Sequence, residues 1–467
     1  MIETHLDKSR QAIKLGLIKI IPELFPGESF RTLFSIGKGV YCELAKTSIS
    51  KREIARLSVA LKEWAEKGNL IHFLFKKNYY YYRVGDIIVK TIHPVELDPR
   101  KVADYRLIPF SPGFIIDFEY KKEDEGKPYS LPKKLSEAYW VRQKWLTNLG
   151  LEMSYEVNSY ISSGRSGELI NTGEAIHHKQ LSTIGDMITE QRRNLRIVLI
   201  SGPSASGKTI VARRLLSYLR ISGLKPRLLK LDNYFLDIEQ RPCDEQGNID
   251  FDSLKALDLA LLQEHVEALL EGKQIETPIF DYVAGKRSNL TQPMHLGKDE
   301  LLVIKGIHAL NPNLLAVDNH NILFKIYLSS LFGVNVDRMN RVPSTEARLI
   351  RRMVRGDMFR GVSPEQTFAM WPNIRKGEIN NVFKFQEDCD VIFNSSLIYE
   401  LNALRPYAEA ALNKIPDDSP HYEIKIRLLD LLAFFEPLKT ATVPPSSVLR
   451  EYIGGSTFAT EETIKMY

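Results

Sequence analysis

Cysteine is scarce in this chain, and none of it is paired by spacing. Only Cys42, Cys243 and Cys389 occur in 467 residues, far apart and without a CxxC. That argues against a disulfide scaffold or a thiolate metal site, and for reduced, structural thiols. Long hydrophobic runs are missing too, since no stretch approaches the ~20 apolar residues of a membrane span. The opening MIETHLDKSRQAIK carries charges where a signal peptide needs an apolar run. A net charge of +5 is small for this length. A slight basic surplus suits a phosphate site, but it is not the basic stripe of a nucleic-acid binder. Internal repeats, long low-complexity tracts and any HxxxH are absent. These absences point to a cytoplasmic globular protein with no membrane partner and no nucleic acid among its expected partners; self-association is left open.

The length suggests two or three structural units at about 150 residues each. Residues 1–120 read as mixed α/β. Helices are predicted over 9–24 and 50–68, strand material over 31–45, and strands over 71–89, where Tyr79 to Tyr82 form a run. Alternate tyrosines of a strand face opposite sides, so half of that run is expected to pack. The charged stretch KKEDEGKPYSLPKK over 121–134 reads as a surface loop or linker. Helical patterns follow over 135–149 and 175–193. From Leu195 onward, short apolar strands (196–201, 227–231, 301–304, 322–328, 390–394) alternate with helical stretches (208–221, 253–271, 344–354). Alternation of that kind implies a parallel sheet wrapped by helices. After Ser396 the pattern is helical to about Pro437, then rich in Pro, Ser and Gly. The expected organisation is an N-terminal α+β domain with helical linker (1–190), an α/β domain (191–415), and a helical extension with tail (416–467).

Within LRIVLISGPSASGKTIVARRLL lies GPSASGKT, a full GxxxxGK[ST], between an apolar strand and a helix. Chance alone would put this motif somewhere in such a chain only about 1–2% of the time. Its mechanism is physical. Backbone N–H groups of Gly202, Ser204, Ala205, Ser206, Gly207, Lys208, Thr209 and Ile210 are available to phosphate oxygens, and a helix N-terminus adds its dipole. Lys208 is expected to bridge the β- and γ-phosphates, and the Thr209 hydroxyl to ligate Mg²⁺.

Downstream, LDNYF places Asp232 just past the second strand, beside the phosphates, where a carboxylate can take the proton of an attacking hydroxyl. Taken alone, the Asp-Asn pair could be an ordinary turn. Arg348, Arg351, Arg352 and Arg355 follow i, i+3, i+4, i+7 and share one helical face, with Arg360 beyond. Such a run is usually a solvated charged face; with no acid interleaved after Glu346, the stripe also predicts an anion there, supplied by a lid closing over the transferring phosphoryl group.

These motifs are similar to those of the uridine kinase and phosphoribulokinase group, especially long bacterial uridine kinase-like proteins with an additional N-terminal domain. The resemblance covers nearly the whole chain. It runs through SIGKGVYCEL, LIPFSPGF, HHKQLSTIGDMI, GPSASGKT, LDNYF, NIDFDSLKALDL, PIFDYVAGKR, KGIHALNP, FRGVSPEQT, FKFQEDCDVIFNSSLIYEL and LREYIGGS. It implies a nucleoside monophosphate kinase-like P-loop fold, a parallel sheet with helices on both faces, and transfer of the ATP γ-phosphate to a hydroxyl of a nucleoside or another small molecule. It further implies Asp232 as catalytic base, with Lys208 and Arg355 in the transfer machinery, and Mg²⁺ held by Thr209 and Asp232. Asp252 is implied to hold the ribose, Phe280 and Tyr282 to flank the nucleobase, and Arg348 and Arg352 to face the substrate. The N-terminal half is similar to the editing-type domain of threonyl-tRNA synthetase, without its metal histidines and without the ubiquitin-like domain that usually leads it.

The chain departs from the family pattern at charged positions. Lys305 in KGIHALN stands where an acid that helps hold the metal is usual. Asn233 replaces a second aspartate, Glu346-Ala347-Arg348 stands for DTR, and Gly356 follows Arg355 where an aspartate is usual. Gly285 stands where uridine kinases carry a base-contacting histidine. Two readings follow. One is an active kinase whose acceptor need not be uridine; the other is a nucleotide-binding pseudokinase with a regulatory or scaffold role.

Overall fold

The structure, a computed structural model, describes residues 2–36, 39–68, 70–118, 132–243, 247, 250, 252–281, 284–316 and 319–458. Tyr282 and most of the predicted linker loop therefore lie outside the described residues.

The N-terminal domain is built mostly of antiparallel sheets. Helix α1 (Ile2–Leu24) leads into strands β1 (Phe30–Ile36) and β2 (Gly39–Leu44), then helix α2 (Lys51–Glu66). Strands β3 (His72–Lys76), β4 (Tyr80–Val84) and β5 (Ile87–Thr91) form a three-stranded sheet. Strands β6 (Arg106–Phe110) and β7 (Gly113–Asp117) complete a four-stranded one, in the order β1-β2-β7-β6. Helix α2 opens where the sequence says it should: Ser50 Oγ accepts from Glu53 N, and Glu53 Oε2 accepts from Ser50 N at 2.8 Å. This reciprocal pair satisfies two otherwise orphaned donors. In the tyrosine run, Tyr82 is 2% exposed and packs inward, as a strand's alternation requires.

Three helices, α3 (Lys133–Leu149), α4 (Ser154–Ser162) and α5 (Ser166–Glu190), lead to the second sheet. There β8 (Ile197–Ser201), α6 (Lys208–Ile221), β9 (Lys225–Lys230) and α7 (Leu259–Leu270) are followed by a hairpin, β10 (Ile275–Asp281) and β11 (Lys286–Met294). Strands β12 (Glu300–Lys305) and β13 (Leu323–Ser329), helices α8 (Ser344–Arg355) and α9 (Pro364–Asn381), and strand β14 (Val391–Asn394) complete the layer. The five strands run parallel in the order β14-β13-β8-β12-β9. Every residue of β8 is buried, and the alternation splits it between two cores: Val198 and Ile200 join the apolar cluster with α5, α6 and α8, Ile197 and Leu199 the one with α7. That is the residue pattern of a parallel sheet covered on both faces. Helices α10 (Glu400–Leu412), α11 (Tyr422–Leu432) and the short α12 (Arg450–Ile453) close the chain. No helix among the described residues is long and apolar enough to cross a membrane.

From β8 the chain winds to β9 and β12 on one side, then to β13 and β14 on the other. The carboxyl ends of these strands meet at that reversal, which is where open parallel sheets bind ligands. The loop after β8, Asp232 after β9 and Lys305 ending β12 all lie on this edge.

Candidate active site

The loop after β8 turns into α6 at Gly207, whose φ is +84°. Lys208 reaches back across the loop, and its Nζ donates to the carbonyls of Gly202 and Pro203, both at 2.8 Å. Burial, with Lys305 adding repulsion and Asp232 opposing it, brings its pKa down to about 8. Thr209, the second residue of α6, is half-buried.

Asp232 lies in a single helical turn (Leu231–Tyr234) directly after β9. Strand β12 runs between β8 and β9, so Lys305 at its end lies between the loop and Asp232. Lys305 Nζ donates to Asp232 Oδ2 at 2.5 Å, and the Lys305 side chain is 7% exposed. Burial alone would raise the Asp232 pKa. The charge and hydrogen bond of Lys305, with Lys208 and Arg360 behind it, outweigh burial and hold the carboxylate below its ordinary range. The departure most at odds with the family pattern is thus the direct partner of the expected base. His308, three residues on, is buried within reach of the Asp232 and Lys208 charges, and desolvation takes its pKa down to about 4, leaving it neutral.

The arginine stripe of α8 faces the loop, and where the sequence suggests a lid closing over a phosphoryl group, most of its arginines are held by carboxylates of the chain itself. Arg348 forks onto Glu378 of α9 at 2.5 and 2.7 Å, and also donates to the Ser204 carbonyl at 3.0 Å. Arg351 forks onto Glu400 of α10, both bonds 2.5 Å, with neither side chain exposed at all. Arg355 donates to Glu451 at 2.7 Å. The anion demanded by the stripe is therefore supplied by three carboxylates from elsewhere in the chain, and α8 is a buried strut. Arg352 differs. Its Nη1 donates to Ser204 Oγ at 2.6 Å, and burial, with repulsion from Arg355 and Arg360, pulls its pKa down to about 10. Glu378 also accepts from the backbone N–H of Ser204 at 2.9 Å, so a carboxylate already sits on one amide of the loop.

Asp252 is held by burial, with repulsion from Glu378, at a pKa of about 7; Arg352, Asp250 and Lys208 also act on it. It lies against Gly377 of α9. Phe280 is 5% exposed, its ring edge-on to Phe235 at 6.1 Å, with the Arg241 guanidinium 5.1 Å from its centroid. An expected nucleobase-flanking ring is thus covered by the protein itself. At Gly285, φ is +68° and a Cβ would lie 2.3 Å from Ile238 Cδ1. Ile238 fills the space where a side chain at this position would have to go.

The carboxylates Glu378, Glu400 and Glu451, and the Tyr452 hydroxyl on the Ala205 carbonyl, went unread in the sequence. The one available signal for the last two was the LREYIGGS motif itself.

The family model described as "Phosphoribulokinase / Uridine kinase family" matches residues 197–398, a little under half of the chain. A uridine kinase of Halobacterium salinarum is 34% identical over 112 residues, 24% of this chain and 48% of that protein, so about half of that relative's length is spanned. A uridine kinase of Deinococcus deserti is 28% identical over 175 residues, covering 38% of this chain and 75% of its own. That of Bacillus subtilis is 29% identical over 182 residues, covering 39% and 77%. Among solved structures, a D-glycerate 3-kinase from Cryptococcus neoformans aligns over 54% of this chain and 87% of its own at 14% identity. Its TM-score of 0.24 is too low to bear on the acceptor.

Proposed function

We propose that residues 197–398, which match the phosphoribulokinase/uridine kinase family model, form a kinase domain that binds ATP in the loop after β8 and transfers its γ-phosphoryl group to a hydroxyl of a small molecule, most simply a nucleoside. The observation that carries this reading is the convergence of Lys208, Asp232 and Lys305 at one edge of the parallel sheet. Lys208 would exchange its two loop carbonyls for the β- and γ-phosphates. Asp232 would take the proton of the acceptor hydroxyl as its oxygen bonds to the γ-phosphorus in line with the departing ADP. Arg352, one step from the loop through Ser204 Oγ, is the arginine best placed to follow the phosphates.

The chain's own residues do not fit a protein-held magnesium ion. Of the two expected ligands, the Asp232 carboxylate is engaged by an ammonium, leaving the Thr209 hydroxyl. Among the described residues, no group of three or more His, Cys, Asp or Glu could hold a metal. Magnesium is ordinarily bound through one or two carboxylates and substrate phosphates. In this reading Lys305 supplies the fixed positive charge that a carboxylate-bound ion would otherwise bring.

For the acceptor, Ile238 against Gly285 and the covered Phe280 argue for a pocket built differently from one that reads uracil with a histidine. A second reading, nucleotide binding without turnover, is favoured by the Lys305–Asp232 pair, because a neutralised carboxylate is a poor base. The similarity of residues 1–190 to a synthetase domain, and the division at 190 and 415, rest on sequence motifs alone.

The test is ATP consumption against a panel of nucleosides, sugars and polyols, with Asp232→Asn as blank. The kinase reading expects turnover with at least one acceptor, at least ~100-fold lower in Asp232→Asn, with ATP affinity retained. No turnover with any acceptor, alongside ATP binding, supports the second reading; full activity in Asp232→Asn means the base is misassigned.

A further inference from the structure

The matched family region ends at residue 398, yet the last described helix lies beneath the phosphate loop. Val448, Leu449 and Tyr452 are fully buried there, in the same core as β8 and α6. A Cβ on Gly207 would lie 2.6 Å from Val448 Cγ1 and 3.7 Å from Tyr452 Oη, so the segment sets how the loop can run as well as filling space behind it. Ala205, within the loop, is the one non-glycine residue of positive φ (+56°) among those described. A left-handed conformation is unfavourable for an alanine and persists only where surroundings impose it.

Those surroundings are specific. The Ala205 carbonyl accepts from Tyr452 Oη at 2.9 Å and from Arg351 Nη1 at 3.2 Å. Arg351 is itself fixed by Glu400 and by the Ser395 carbonyl at 2.9 Å. The Tyr452 ring lies 5.2 Å from the Arg351 guanidinium and 5.9 Å from that of Arg355, which Glu451 holds in turn. In a trans peptide the C=O and the following N–H point opposite ways. Pulling the Ala205 carbonyl down onto Tyr452 and Arg351 therefore turns the Ser206 N–H into the loop. There it donates to the Pro203 carbonyl at 3.3 Å, the same oxygen that receives Lys208, and like Lys208 it would exchange that bond for a phosphate oxygen.

We infer that the segment 447–453 is a working part of the phosphate cradle, and that Tyr452 is its positioning residue: its hydroxyl holds the Ala205 carbonyl so that the Ser206 amide faces a bound polyphosphate. The inference rests on the nucleotide-binding reading of the loop and goes beyond it, because it makes a residue far outside the family region a determinant of nucleotide affinity. Its ligand class is a nucleoside triphosphate or any short polyphosphate, since the amide recognises only phosphate oxygens.

The test uses full-length protein. Binding of inorganic tripolyphosphate and of ATP is measured by calorimetric titration for the wild type, Tyr452→Phe and Lys208→Ala, with the thermal midpoint of each. Phenylalanine keeps the ring over both arginines and removes only the hydroxyl. Tyr452→Phe should weaken both ligands about fivefold to tenfold while melting close to the wild type. Unchanged affinity in Tyr452→Phe overturns the inference, and a lowered midpoint with unchanged affinity overturns it equally, by making the hydroxyl merely structural. Failure of the wild type to bind either ligand is a different result. It overturns the nucleotide reading of the loop, and the positioning role falls with it.

Discussion

At the scale of single residues, the site is an arrangement of like charges kept close together. Lys208 and Lys305 both face Asp232, and one carboxylate cannot neutralise two ammoniums. Lys208 bears the cost, with burial first and Lys305 repulsion adding to it, and its pKa falls to about 8 in the free protein. A polyphosphate arriving in the loop favours the charged form, so the pKa of Lys208 rises on binding. The sign of the linkage follows. Nucleotide affinity is complete below the free-state value of about 8 and falls as pH rises through it, by up to tenfold per pH unit. Lys305→Met removes one repelling charge and should move the onset of that fall to higher pH. Titrations of ATP between pH 7 and 9.5 measure both effects. A flat profile in the wild type would mean that Lys208 is fully charged in the free protein, or does not meet the phosphates.

Among the secondary-structure elements, α8 shows what a sequence pattern can and cannot reveal. Its arginine spacing was legible because 3.6-residue periodicity is local. Its partners were not, because Glu378, Glu400 and Glu451 lie 30, 49 and 96 residues beyond the arginines they bind. The five parallel strands were legible as apolar runs, since strands covered on both faces need apolar residues throughout. The β10–β11 hairpin was not, because most of β11 is exposed and its residues carry no alternation. Helix α9 was missed for a different reason: it has Pro372 inside it and no strong apolar face. Within the site, the loop and Asp232 could be read from motif and strand position, whereas the Lys305–Asp232 contact needed the sheet order that sets β12 between β8 and β9. The Arg351–Glu400 pair yields this scale's prediction. Both side chains are fully buried, so Glu400→Gln keeps the shape but leaves a cation uncompensated. It should cost about 3–5 kcal/mol in denaturant unfolding. A loss under about 1 kcal/mol would mean that water reaches Arg351, contrary to its burial.

Over the whole molecule, the N-terminal domain shares its core with the parallel-sheet layer. Leu33, Phe34, Tyr41 and Ile115 of the four-stranded sheet join Leu135 and Tyr139 of α3 and Leu331 beyond β13 in one apolar cluster. Tyr139 Oη donates to the Leu33 carbonyl at 2.7 Å, tying α3 to β1. Asn340, 4% exposed, joins the three-stranded sheet to the loop before α8: its Oδ1 accepts from Ile92 N at 3.1 Å and its Nδ2 donates to the Lys90 carbonyl at 3.4 Å. Arg341 donates to Ser35 Oγ at 2.6 Å, and Thr32 Oγ1 to the Met339 carbonyl at 3.1 Å. Domains joined by a flexible linker and a polar interface unfold separately, whereas domains that share buried apolar residues lose part of each other's core when one opens. Calorimetry of the full chain should therefore give one cooperative transition. Asn340→Ala leaves the Ile92 amide and Lys90 carbonyl short of a partner in a buried setting, and should cost about 1–3 kcal/mol. Because the shared apolar cluster is untouched, the variant should still melt in one transition, at a lower midpoint, that shifts upward with added ATP. Two resolved steps, in the wild type or in Asn340→Ala, would show that the shared cluster does not couple the domains.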